Sequence, residues 1–236
     1  MKNGTLFLIP APLGDAPVDE ILPGIVKQVI EQLTYFIVEN EKTARRFIKQ
    51  ICPDKKQQEL VIFQLDKHDK TAYLDEFIQP LTEGKDVGLL SEAGLPAIAD
   101  PGSLVVALAH KKNIPVKPLT GPSSLMLALM ASGMNGQKFS FEGYLPKEAG
   151  ALKRQMKHLQ QLSARDNRAI ICIETPYRNN KLFENFLKFL QPETRLCVAT
   201  DLTLATEFIK TLPVKQWHKH KPDLHKRPTV FVFQAF

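Results

Sequence analysis

Leu89-Leu-Ser-Glu-Ala-Gly-Leu-Pro-Ala-Ile-Ala-Asp-Pro-Gly102 is the stretch whose reading decides the fold. It begins in the apolar run Val87-Gly-Leu-Leu90, which has the length and character of a buried strand. The residues after it carry Gly94, Pro96, Pro101 and Gly102 and follow neither the helical nor the strand period, so they form a loop of fixed shape. Asp100-Pro101-Gly102, followed by the apolar Leu104-Val-Val-Ala-Leu-Ala109, reads as an N-cap, a proline at the first helical position and a buried helix. A shaped loop between the carboxyl end of a strand and the start of a helix is where open α/β sheets take ligands. An ordinary strand-to-helix connection is the other reading of the same residues.

Outward from this loop, strand and helix patterns alternate. Toward the N-terminus they give a strand at Thr5–Ile9, a turn at Pro10-Ala-Pro-Leu-Gly-Asp15, a helix over Val18–Leu33, a strand at Tyr35–Val38 and a helix over Glu41–Ile51. A strand at Leu60–Phe63 and a helix over Thr71–Leu81 follow, with His68 read as a loop residue. The turn at Leu13-Gly14-Asp15 either brings bare backbone to a ligand at the strand end or merely redirects the chain. Beyond the organising loop come a helix near Pro101–His110, a fifth strand at Ile114–Lys117, and Pro118-Leu-Thr-Gly-Pro-Ser-Ser124 opening a helix over Leu125–Ala131. There the amides and hydroxyls of Ser123 and Ser124 either cap the helix or hold a polar ligand group. This alternation predicts a mostly parallel sheet with right-handed crossovers.

The pattern changes around Ser132-Gly-Met-Asn-Gly136, and the reading is two α/β domains, 1–118 and 119–236. The second holds strands at Phe139–Pro146, Arg168–Ile173, Arg195–Ala199, Glu207–Lys210 and Thr229–Phe233, with helices over Ala151–Leu162 and Lys181–Leu190. Its last strands have no helix between them, which predicts a mixed sheet.

Composition narrows the function classes. With 44% apolar and 24% charged residues the 236-residue chain is an ordinary folded protein. The apolar run at Thr5–Ile9 is broken by Pro10 too soon for a secretory signal, and a cytoplasmic location is expected. Cys52, Cys172 and Cys197 form no C-x-x-C pair and read as inert thiols. His218 and His220 lack a third ligand at a convincing spacing, so no metal is expected. No G-x-G-x-x-G follows a strand, which disfavours a dinucleotide enzyme. The formal charge of +6 fits an anionic partner such as RNA. The cations are grouped at Lys42, Arg45 and Arg46, at Lys153, Arg154 and Lys157, and in the Lys219–Arg227 segment.

Five ordered blocks, Ile9-Pro-Ala-Pro-Leu-Gly-Asp15, Leu90–Gly102, Leu119-Thr-Gly-Pro-Ser-Ser124, Phe141-Glu-Gly-Tyr-Leu-Pro-Lys147 and Glu174-Thr-Pro-Tyr-Arg178, make the chain resemble the tetrapyrrole methylase superfamily of S-adenosylmethionine-dependent methyltransferases. Within it the resemblance is greatest to the small-subunit ribosomal RNA 2'-O-ribose methyltransferase I branch. It implies two α/β domains with S-adenosyl-L-methionine in a cleft between them, and a homodimer. Carried over by position, it implies cofactor contacts at Leu13, Leu95, Ile98, Ala99, Ser123, Ser124, Ile173, Ala199, Pro228 and Thr229. Glu39, Glu92, Asp100, Glu174 and Arg178, at strand ends, are the catalytic candidates. Two departures stand out: Glu39-Asn-Glu-Lys-Thr43 replaces the branch's acidic-threonine-basic signature, and Leu204 and Thr206 stand where it has Lys and His. The alternatives are therefore methylation of a tetrapyrrole or other small acceptor, and a non-catalytic protein that binds the cofactor or RNA.

Overall fold

A computed structural model describes residues 2–65 and 73–236, in two compact units, Met1–Ser123 and Ser124–Phe236. His68 and the start of the helix expected at Thr71 lie outside the described residues.

The first unit is built on strands β1 (Leu6–Ile9), β2 (Tyr35–Val38), β3 (Val61–Gln64), β4 (Val87–Leu90) and β5 (Val116–Pro118) in the order β3-β2-β4-β1-β5, all parallel. Both faces of the sheet are covered, as the near-continuous apolar strands require. Phe36, Val38 and Leu90 pack into one core with Val26, Ile30 and Ile48, while Ile37, Val87 and Leu89 pack into another with Leu81, Val105 and Ala109. The helices are α1 (Val18–Ile21), α2 (Gly24–Gln32), α3 (Glu41–Ile51), α4 (Leu74–Phe77), α5 (Gln79–Thr82) and α6 (Gly102–Lys111).

Several expected elements differ in detail. The helix read over Val18–Leu33 is two helices, because Pro23 disfavours helical backbone at Leu22, which is extended at ψ 134°. The expected N-cap and first helical residue near 101 shift by one: Pro101 caps and Gly102 begins α6, with Asp100 Oδ1 accepting the Gly102 amide at 2.7 Å. The fifth strand starts at Val116, not Ile114, whose amide instead closes the α6 end by bonding Ala109 O at 2.9 Å. The described part of the helix expected to reach Leu81 is the two short helices α4 and α5, divided at Ile78. The α3 span is as read, and the structure adds its cap: Asn40 Oδ1 accepts the Thr43 amide at 3.1 Å, a contact that contributes about 1 kcal/mol.

The second unit opens with α7 (Ser124–Ser132) and then forms β6 (Phe139–Tyr144), α8 (Ala149–Asp166), β7 (Ala169–Ile173), α9 (Asn179–Phe189), β8 (Arg195–Thr200), β9 (Phe208–Pro213), α10 (Val214–Trp217) and β10 (Thr229–Gln234). Its sheet order is β6-β7-β10-β8-β9, with β6 and β7 parallel and the other pairs antiparallel, the mixed sheet that the sequence predicts. Cys172, Val198, Phe231 and Phe233 meet Met156, Phe183, Phe186 and Trp217 in one core. The α10 helix was not visible in the sequence. It buries Trp217, whose indole N–H donates to Leu196 O at 2.9 Å. The change of pattern at Ser132–Gly136 is the α7–β6 turn inside this unit. Among the described residues, no helix is long and apolar enough to cross a membrane.

Candidate active site

In the first sheet the chain leaves β1 toward β2 in one direction and leaves β4 toward β5 in the other, so the neighbours β1 and β4 mark the topological switch point. The loops at their carboxyl ends are joined there. Ala11 N donates to Gly94 O at 2.9 Å and Gly94 N to Ala11 O at 3.0 Å, an isolated antiparallel bridge between the turn after β1 and the organising loop after β4. Gly94 has φ +72°, and a Cβ built on it would lie 3.2 Å from Leu13 Cδ2 and 3.5 Å from Pro122 O. Three corners far apart in sequence, at Leu13, Gly94 and Pro122, therefore meet at the switch point.

The rest of the loop is held in shape from within. Ala97 and Ala99 have φ +67° and +61°, a left-handed conformation that costs an alanine about 1 kcal/mol. Asp100 Oδ1 compensates by accepting the amides of Ala97 at 2.9 Å and Gly102 at 2.7 Å. Burial pushes the Asp100 carboxyl above the ordinary carboxylate range, and those two amides oppose the shift. Ile98 and Ala99 are exposed, while Leu95 is half-buried. At the end of β2, Glu39 Oε1 accepts the Glu92 amide at 3.1 Å, which ties the organising loop to a second strand end. A cavity of about 680 Å³ lies over these ends, lined by Leu13, Asp15 and Glu92 together with Arg46 and Lys49 of α3. Ser123 and Ser124 stand at the junction of the two units, where Ser124 begins α7.

In the second unit, Ile173 and Ala199 both face Val230 in register, so the carboxyl ends of β7 and β8 flank the start of β10. Thr229 is buried, and its hydroxyl lies 3.0 Å from the Thr200 hydroxyl. The exposed Pro228 accepts the Asp201 amide at 2.9 Å. Glu174, at the end of β7, is buried and forms an ion pair with Arg178. Its Oε1 accepts the Thr175 amide at 2.7 Å.

One cluster here escaped the sequence reading. Asp201 Oδ2 accepts from Arg227 Nε and from the Thr206 hydroxyl, each at 2.8 Å, and Arg227 Nη2 donates to Thr206 O at 2.7 Å. Asn179, wholly buried, donates to Arg227 O at 2.7 Å. These bonds fix the segment that carries Pro228 and Thr229. The only signal in the sequence was an Asp directly after a strand.

The tetrapyrrole (corrin/porphyrin) methylase family matches residues 9–217 of this sequence. The chain belongs to the tetrapyrrole methylase family. It is 29% identical over 218 residues to the ribosomal RNA small subunit methyltransferase I of Pseudomonas aeruginosa, covering 92% of this chain and 73% of that one. To the protein of the same name from Vibrio cholerae it is 28% identical over 221 residues, covering 92% and 72%. Among solved structures, a diphthine synthase superposes with a TM-score of 0.70 at 13% identity, covering 98% of this chain and 90% of that one. The methyltransferase CobJ superposes with a TM-score of 0.65 at 14% identity, covering 98% and 94%. At such identities the two structures establish the tetrapyrrole methylase fold of this chain.

The residues present suit the methyl donor of this family. At Gly94 a side chain would fill the space between the Leu13 and Pro122 corners, so only bare backbone borders it there. The exposed Ile98 adds apolar surface on the same loop.

Proposed function

We propose that this chain is an S-adenosyl-L-methionine-dependent methyltransferase that methylates a ribose 2'-hydroxyl of small-subunit ribosomal RNA. The observation that carries this reading is the meeting of the Leu13, Gly94 and Pro122 corners at the switch point of the first sheet. Similarity to ribosomal RNA small subunit methyltransferases I along 92% of the chain supports the choice of acceptor.

In this reading Leu13, Leu95, Ile98, Ala99, Ser123, Ser124, Ile173, Ala199, Pro228 and Thr229 are the donor contacts. S-adenosylmethionine supplies a methyl group already activated on a sulfonium sulfur. What remains for the protein is alignment, which can supply several kcal/mol of the barrier. The five catalytic candidates then separate by what they touch. Asp100 shapes the organising loop, Glu39 holds the Glu92 amide, and Glu174 holds Arg178. Glu92 lines the cavity over the strand ends beside Arg46 and Lys49, and by that position it is the carboxylate assigned to the acceptor hydroxyl. A well-placed base contributes roughly 10²- to 10⁴-fold.

The reading extends to a cytoplasmic homodimer. Met126 and Met130, one helical turn apart on α7, and Phe139 and Phe141 on the edge strand β6 are exposed apolar side chains that support pairing. Sedimentation at micromolar concentration tests it, and a monomer there would remove it.

The deciding experiment incubates the protein with labelled S-adenosylmethionine and small ribosomal subunits lacking methylation, then maps the labelled nucleotide. Label on one ribose is the expected result. Label on a porphyrinoid and none on RNA, or donor binding with no transfer to either, would overturn it.

A further inference from the structure

The second unit carries a cavity of about 560 Å³ between the start of α8 and one face of α9. Arg178, Lys181, Asn185 and Lys188 line it, and Lys147 closes it from the turn before α8. Along α9 these residues follow the i, i+3, i+7, i+10 spacing of a single helical face. The stripe runs for about 15 Å at 1.5 Å per residue.

Its charge is one-sided. Glu174 is the acidic residue in the lining, and it is buried against Arg178. Lys181 lies 3.9 Å from Glu184, with both side chains largely exposed, a pairing of little strength. Among the described residues, Lys147 and Lys188 have no carboxylate partner. Phe189, half-buried against the core of this unit, lines the same cavity, and the Lys188 ammonium lies 5.5 Å from its ring centroid. A row of cations beside an aromatic face is the combination that holds a single strand of nucleic acid, cations on phosphates and bases on the ring.

We infer that the α8–α9 cavity is a docking site for a single-stranded segment of the RNA substrate, with Lys147, Lys181 and Lys188 on its phosphates and a base against Phe189. The inference rests on the RNA-methylating reading and adds where the substrate is held. Arg178, already tied to Glu174, borders the site and positions its inner end. Lys181 and Lys188 lie about 10 Å apart along α9 at 1.5 Å per residue, so they reach phosphates that are not neighbours on the strand, and Lys147 reaches the strand from the turn before α8.

The test compares the full chain with its Lys147→Gln, Lys181→Gln, Lys188→Gln triple variant for binding a labelled single-stranded RNA at several salt concentrations. Each phosphate contact contributes about 0.7 to the salt slope for a single strand, so the triple variant is expected to lose about 2 from the slope and to bind about 100-fold more weakly at about 0.1 M salt. Replacing the same lysines by arginine is expected to keep both. Donor binding by calorimetry should be the same for all three proteins. An unchanged RNA affinity and slope, with donor binding intact, would overturn the docking site while leaving the methyltransferase reading standing. An affinity lost for inorganic pyrophosphate but not for RNA would also overturn it. Absence of donor binding or of methyl transfer in the unaltered chain would instead defeat the reading beneath it.

Discussion

Gly121 packs directly on the ring of Pro10: the Cβ that Gly121 lacks would lie 2.1 Å from Pro10 Cβ and 2.4 Å from Pro10 Cγ. A proline ring has no rotamer to move aside, so Gly121→Ala forces the two backbones apart. Overpacking of this kind costs about 3 kcal/mol at the upper end. Gly94→Ala meets the Leu13 side chain at 3.2 Å, which can turn away, and its main cost is the φ of +72°, about 1 kcal/mol. Urea unfolding midpoints should therefore fall in the order native, Gly94→Ala, Gly121→Ala. Equal midpoints for the two variants would contradict the contact.

The ion pair of Asp201 and Arg227 is set at 2.8 Å with the Asp201 side chain 8% exposed and that of Arg227 30%. Removing one charge leaves the other poorly solvated and frees the segment carrying Pro228 and Thr229. Asp201→Asn is expected to cost about 2–3 kcal/mol, less than a fully buried pair because Arg227 reaches solvent. If the segment contacts the donor, the variant also binds S-adenosylmethionine more weakly, while the rate at saturating donor changes less. Calorimetry and a KM-against-kcat comparison separate the two effects.

Burial holds the Asp100 carboxyl above its ordinary value of 3.8, against the pull of the Gly102 and Ala97 amides. Between that ordinary value and the raised one, the folded chain binds more protons than the unfolded chain, so this group's contribution to stability falls as pH rises through the window. Asp100→Asn keeps an oxygen acceptor for both amides and has no charge to bury. Its stability relative to the native chain should therefore grow from pH about 3.5 to about 7, measured by urea unfolding across that range. A difference independent of pH would show that the carboxyl is not perturbed.

The sequence carried the architecture because both sheets advertise their period. Tyr35–Val38 and Glu41–Ile51 are legible to the residue, the first as an apolar run and the second by its helical period. The departures arise where one residue overrides a window, as Pro23 does between α1 and α2. The loops of the site were legible as loops, but their shape was not. Ala97 and Ala99 are left-handed without a glycine to announce it, and that conformation depends on Asp100 supplying the acceptor. The contact between Pro10 and Gly121 joins residues from opposite ends of the first unit, and neither type signals the other. Asp201 and Arg227 are a similar case, since charges in turns read as solvated until their partner is known.

Neighbouring cations on α3 illustrate the same limit and yield a prediction. The sequence grouped Arg45 and Arg46 as phosphate contacts, but the structure gives them different surroundings. Arg45 Nε pairs with Glu41 at 2.7 Å and its Nη1 donates to Gln57 O at 2.6 Å, which braces the helix against the next turn. Arg46 is exposed and lines the cavity over the strand ends, and among the described residues it has no carboxylate partner. Arg46→Gln should leave stability within about 0.5 kcal/mol, as for a surface change, and lower the salt slope of RNA binding by about 0.7. Arg45→Gln should do the reverse, losing about 1 kcal/mol of stability with the Gln57 bond and leaving the slope nearly intact. Thermal unfolding and salt-dependent RNA binding on both variants check this, and a slope that responds to Arg45 rather than Arg46 would place the RNA on the other side of α3.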